Sequence, residues 1–241
     1  MSRSRWKLRL YRFLRVKFVA ECVWFVRYFW FVRVRRQLRS FDEKSGVILH
    51  DYSQNSLLTN RPSERILKLI MPLTLIETLT PDSKVLSIGC RYEWDMLLLC
   101  AYGFRAENVR GLDMLSYSPW IDLGNMHAMP YGDSSWDALV LGWVLSYSDD
   151  PQRAAREFVR VTRAGGIIAV GVTYYPPERL RALAQPGGDH AAEYVSGERR
   201  VQTVAALLEL FGSAVGRVYV QHDAPDPGKQ GHCLLVFSVR K

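Results

Sequence analysis

Residues 84–113, KVLSIGCRYEWDMLLLCAYGFRAENVRGLD, decide how the rest of the chain is read. An apolar run over 84–88 predicts a buried strand. Gly89 marks a tight turn, 94–102 an apolar helix, and 109–113 a second strand ending on an acid. This is the first βαβ unit of a nucleotide-binding α/β domain. Asp113 lies about 20 residues beyond the turn, where a carboxylate can accept both hydroxyls of a ribose. The turn is poor in glycine. A loop that lets a cofactor approach bare backbone usually has several, and here Arg91 and Glu93 stand where further glycines are expected.

Outward from this unit, strand and helix patterns alternate. A helix is expected over 62–79, opened by Asn60, Pro62 and Ser63 and interrupted at Pro72. A short strand falls near Ile121. DALVLGWVL (137–145) reads as a central strand buried on both faces. A helix over 151–162, a turn at Ala164-Gly165-Gly166, a strand over 167–173 and a helix over 201–211 follow. Two last strands, 217–221 and 232–239, flank the turn-rich DAPDPGKQG and predict an antiparallel hairpin. The fold class is α/β: a Rossmann-like, doubly wound, mostly parallel seven-stranded sheet with a C-terminal antiparallel hairpin.

The chain's 241 residues suffice for one such domain. Four cysteines without paired spacing point to a reducing compartment and to neither a disulfide framework nor a zinc site. No metal-ligand spacing is visible, and no cleavable signal peptide is evident. The net charge of +8 is uneven. Residues 1–40 hold twelve Lys or Arg and one acid, so the arm carries +11 and residues 41–241 carry −3.

That N-terminal arm, 1–40, is read apart from a domain over 41–241. Its centre, FVAECVWFVRYFWFVRV (18–34), is too aromatic for a flexible basic tail. Glu21, Arg27 and Arg33 make it a poor membrane span, which needs ~20 largely uncharged residues. Trp24, Tyr28 and Trp30 suit the headgroup level, and the flanking cations suit anionic lipid. The arm is read as a monotopic interfacial anchor. Packing on the domain, on a second subunit or on a partner protein is the plainer alternative. Nucleic-acid binding is a third, with no recognised motif behind it. Residues 3–10 alternate base and apolar, as a strand would.

Four segments resemble one family in order. VLSIGC (85–90) resembles VLDIGCGxG, and GLDM (111–114) an acidic strand end. GNMHAMPYGDSSWDALVLGWVLSYSDDP (124–151) resembles GDxxxLPFxDxSFDxVxxxxVLxHxxDP. EFVRVTRAGGIIAVGV (157–172) resembles ExxRVLKPGGxLxIxx. The pattern is that of the class I S-adenosylmethionine-dependent methyltransferases, in the small-molecule, type 11-like branch, with a glycine-poor first motif. Ser87 replaces an acid that helps hold the methionine ammonium, Asn125 an acid that meets the adenine amino group, and Tyr147 a frequent histidine.

The resemblance implies S-adenosylmethionine as cofactor. Gly89, Asp113, Met114, Asn125 and Met126 would bind it, with Asp113 on the ribose diol and the methionines against adenine. Arg91 would either hold the methionine carboxylate or pair with Glu93 or Asp95 and seal the pocket. Tyr147, Tyr174 and His127 are the catalytic candidates, with His190 in a later loop. The expected activity is methyl transfer in the cytoplasm, peripheral to a membrane, to a hydroxyl of a lipid-linked or surface-glycan acceptor. A degenerate scaffold or partner subunit, and an RNA methyltransferase, are the alternatives.

Overall fold

The structure, a computed structural model, describes residues 10–41, 64–183 and 201–241. A 3-10 turn at Arg12–Arg15 leads into helix α1 (Lys17–Phe29), which widens to a π turn over Trp30–Val34 and ends in β1 (Arg39–Ser40). After α2 (Leu67–Leu73) come β2 (Val85–Ile88), α3 (Trp94–Ala101), β3 (Val109–Asp113), β4 (Leu115–Ser116) and β5 (Ile121–Leu123). β6 (Trp136–Gly142), α4 (Pro151–Val161), β7 (Thr162–Tyr174) and α5 (Pro177–Leu183) follow. The chain closes with α6 (Val204–Phe211), β8 (Val215–His222) and β9 (Gly231–Val239).

Seven strands form one sheet in the order β5-β3-β2-β6-β7-β9-β8. The first five are parallel, while β9 runs antiparallel to β7 and pairs with β8 in the expected hairpin. The chain leaves β2 toward β3 on one side and returns to β6 on the other. The carboxyl ends of β2, β3 and β6 therefore flank the switch point where such sheets bind ligands.

Each face of the sheet has its own core. One gathers α1, α2 and α3 over Val85, Val109, Val140 and Ala169, and the other α4 and α6 over Leu86, Leu139, Ile168 and Phe237. Strand alternation assigns these residues to opposite faces. The starts of α4 and α6 are capped: Asp150 accepts from Arg153 N at 3.0 Å and Thr203 from Ala206 N at 3.1 Å. Pro151, at the first position of α4, has no N–H to leave unsatisfied.

Several boundaries differ from the sequence reading, among them a helix that starts at Val204 where 201 was expected. The helix expected to reach 79 contains Pro72 and ends at Leu73, where the backbone tightens into i→i−3 turns, with Thr74 N donating to Met71 O and Leu75 N to Pro72 O. The residues expected to open that helix, 60–63, lie outside the described residues. β6 stops at Gly142 because Trp143 turns left-handed, with φ +62°, and Val144–Tyr147 curl into a 3-10 turn. β7 begins at Thr162 and runs through the Gly165-Gly166 turn as a bulge. Its register with β6 slips there, from Trp136↔Thr162 to Ala138↔Ile167, and Gly165 takes φ +71°.

The arm packs on the domain. Ala20, Trp24, Tyr28 and Val32 recur every fourth residue and are all buried in the same core cluster as α3. A four-residue spacing drifts about 40° per step on an ideal helix, and the wider π turn takes part of that drift back. Trp24 and Tyr28, read from sequence as headgroup aromatics, are 6% and 1% exposed and belong to this inner face; Trp30 does face outward. β1 then pairs antiparallel with β4 (Arg39↔Ser116, Ser40↔Leu115), and Phe41 N donates to Met114 O at 2.8 Å. The arm thus ends beside Asp113. The alternating residues 3–9 lie outside the described residues.

Candidate active site

The loop from β2 to α3 is a tight turn followed by a left-handed residue. Gly89, at φ +70°, donates its N–H to Leu112 O at 2.8 Å. A Cβ here would collide with the side chain of Val144, so glycine is demanded by the turn and by the packing behind it. Arg91 takes φ +54°, the conformation a glycine would normally supply, and its N–H donates to Asp113 Oδ2 at 2.7 Å.

Asp113 is 7% exposed at the carboxyl end of β3. Its Oδ1 accepts from Leu115 N at 3.0 Å. Burial pushes its pKa up to about 6, while the N–H groups of Arg91, Leu115 and Met114 pull it down. A carboxylate has about four lone-pair sites, so these backbone donors leave it capacity for a ribose hydroxyl.

The acid missing at Ser87 has a near substitute. Ser87 Oγ donates to Asp95 Oδ2 at 2.6 Å, in the buried space between β2 and α3. Burial pushes Asp95 up to about 7; the Ser87 bond and the Arg65 charge oppose that. A carboxylate therefore does sit by the end of β2, delivered by the first turn of α3. Sequence reading did not single out this placement, although Asp95 is the second residue of α3, where an acid can reach back. Glu93 is held by Arg27 of the arm (2.6 Å to each carboxylate oxygen).

Met114 and Met126 are each 6% exposed. Asn125 Oδ1 accepts from His127 N at 2.9 Å; an amide oxygen has a second lone pair that suits an amino group. His127 is buried, and its Nε2 lies 2.6 Å from Ser148 Oγ and 3.8 Å from Asp149 Oδ1. Tyr147 is partly buried in the 3-10 turn after β6, next in sequence to Ser148. His127 and Tyr147 are thereby brought to one region. Tyr174, at the end of β7, donates its hydroxyl to Pro227 O at 3.0 Å and so ties the β8–β9 loop. His190 lies outside the described residues.

Residues 86–170 match the family model described as a methyltransferase domain. No curated protein sequence matches the chain. Solved structures share the fold. A candidate methyltransferase of Haloferax volcanii, solved with the Trm112 methyltransferase activator, is 17% identical with a TM-score of 0.53, over 74% of this chain and 91% of that one. A candidate sarcosine dimethylglycine methyltransferase from Galdieria sulphuraria is 12% identical with a TM-score of 0.53, over 76% and 84%. The PH0226 protein of Pyrococcus horikoshii is 15% identical with a TM-score of 0.51, over 78% and 93%.

Motifs, sheet order and family model agree: the chain carries a class I S-adenosylmethionine-dependent methyltransferase domain. Its enzyme class is methyltransferase and its cofactor S-adenosylmethionine. That cofactor supplies an activated methyl group on a sulfonium. The protein's part is alignment of acceptor and donor, and removal of a proton where the acceptor is a hydroxyl.

Proposed function

We propose that this methyltransferase works peripherally on a cytoplasmic membrane face and O-methylates a lipid-linked or surface-glycan acceptor. The carrying observation is the outer face of the arm. Of the twelve large apolar side chains that stand exposed among the described residues, nine lie between Leu10 and Val34, with Phe13, Phe18 and Val26 each at least 64% exposed. Arg12, Lys17, Arg33, Arg35, Arg36 and Arg39 are exposed around them. No helix among the described residues is long and apolar enough to cross a membrane. A helix docked by one face, with apolar rings and cations on the other, fits the surface of an anionic bilayer. An acceptor carried in that surface gives the enzyme a reason to sit there.

In this reading Asp113 holds the ribose diol, with Gly89 and Arg91 shaping the turn beside it. Met114, Met126 and Asn125 line the base, and Asp95 faces the ammonium in place of the residue lost at Ser87. On this proposal His127, whose Nε2 meets Ser148, takes the hydroxyl proton, with Tyr147 and Tyr174 as the further catalytic candidates. The scaffold alternative, motivated by Ser87, Arg91, Glu93 and Asn125 together, predicts no cofactor binding; the glycine-like conformation of Arg91 and the hold of the arm on Glu93 favour the enzyme reading.

The test is flotation of the full chain with vesicles. It should rise with phosphatidylglycerol vesicles, stay behind with neutral phosphatidylcholine vesicles, and weaken with salt as screening sets in. Phe18→Ser/Phe25→Ser should abolish it while methyl-donor binding persists. A chain that ignores anionic vesicles and instead dimerises, binds RNA or retains a protein partner on this face would overturn the membrane reading. The Haloferax neighbour's activator complex makes the protein-partner outcome a concrete one.

A further inference from the structure

A buried acid in the glycine-poor loop is paired, among the described residues, with a cation outside the methyltransferase motifs. Glu93 is completely buried at the start of α3. Arg27, from the middle of α1, grips it with two bonds: Nε to Oε2 and Nη2 to Oε1, each 2.6 Å. This is the forked geometry in which arginine binds a carboxylate most firmly. Burial works most strongly against the guanidinium charge, but the Glu93 hydrogen bond and negative charge, with smaller help from Tyr11 and Tyr117, together outweigh it and raise the Arg27 pKa. The guanidinium also lies over the Trp120 ring, 4.6 Å from its centre.

Other contacts reach the same loop from the same helix. Trp24 meets the Tyr92 ring edge-on at 5.6 Å between centres. Glu93 N donates to Tyr117 Oη at 2.9 Å, and the Tyr117 ring packs edge-on against Tyr28 at 5.4 Å. The loop that places Arg91 N on Asp113 is therefore fixed at its far end by Trp24, Arg27 and Tyr28.

We infer that Arg27 is a positioning residue for the cofactor: the arm, through the Arg27–Glu93 fork, holds the β2–α3 loop in its binding shape. Where a glycine-rich loop lies close on backbone alone, this loop carries side chains that must be turned away from the site. Arg27 holds one of them in a fixed place, and the helix around it holds the next. The arm is on this account part of the cofactor site as well as a candidate surface anchor. The inference rests on the assignment of the cofactor to Asp113 and its loop.

A second cation separates this role from general docking of the arm. Arg15 Nε donates to Ala101 O at 3.0 Å, and its guanidinium lies over the Tyr102 ring. It ties the arm to the opposite end of α3, away from the loop. The experiment is calorimetric titration of the full chain with S-adenosylhomocysteine, beside thermal melting. Arg27→Gln should weaken binding by about tenfold or more, within the range of ordinary coupling between sites. Arg15→Gln should lower the melting temperature and leave affinity near the native value. Removing one partner of a buried pair strands the other charge, so Arg27→Gln/Glu93→Gln is the second variant. It should regain stability without regaining affinity. Native affinity in the double variant, or an equal loss in Arg15→Gln, would overturn the inference while leaving the cofactor site intact. A native chain that binds no S-adenosylhomocysteine would remove the cofactor assignment and this inference together.

Discussion

Asp95 and Asp113 are acids kept in a space where ionisation is costly. Their pKa values, pushed to about 7 and about 6 by burial, lie above those of the unfolded chain. For such groups the folded state holds the extra proton between the two values, so their contribution to stability is full below about pH 4 and is lost as pH rises toward 7. Asp95→Asn removes the ionisable group and keeps an acceptor for Ser87. The variant should melt above the native chain at pH 8, with the difference shrinking toward pH 4; equal melting temperatures at both pH values would show that Asp95 ionises freely. The residue scale is also where sequence reading was weakest. Asp113 and Gly89 were legible, since spacing from a strand end defines them. The Ser87–Asp95 exchange was hidden because it moves a carboxylate from a strand to a helix, and one sequence does not reveal which side chain turns back.

At the scale of elements, α1 buries one face and exposes the other. The inner face buries Trp24 and Tyr28 against Tyr92 and Tyr117, and the outer one exposes Phe25 and Phe29, each 52% exposed. Trp24→Ala should cost roughly 3–5 kcal/mol, as large-to-small changes in a core do. Phe25→Ala should stay within about 0.5 kcal/mol, as exposed positions do. Urea denaturation checks both, and equal costs would contradict the docked orientation. This asymmetry was obscured in the sequence because apolar residues occur all round the helix, so periodicity could not choose a face. The partner surface on α3 chooses it. The strand ends were similarly open: Trp143 reads as one more residue of an apolar run, and only its left-handed conformation ends β6.

Across the whole molecule, the alternation of strands and helices between residues 84 and 239 was enough to specify the sheet. Short parallel strands buried on both faces leave an apolar signature, and the hairpin leaves a turn signature. What remained invisible was long-range: the tie of Arg27 to Glu93 spans 66 positions, and the β1–β4 ladder brings the arm's end to the strand that carries Asp113. Both link the arm to the same loop and strand end, so the account turns on whether that place binds the cofactor. The direct measurement is calorimetric titration with S-adenosylmethionine and S-adenosylhomocysteine, native chain against Asp113→Ala. The account predicts saturable micromolar binding by the native chain, on the order of −8 kcal/mol, which the variant loses while keeping its fold. A well-folded native chain with no binding, or an Asp113→Ala variant that binds as well as the native one, would contradict it.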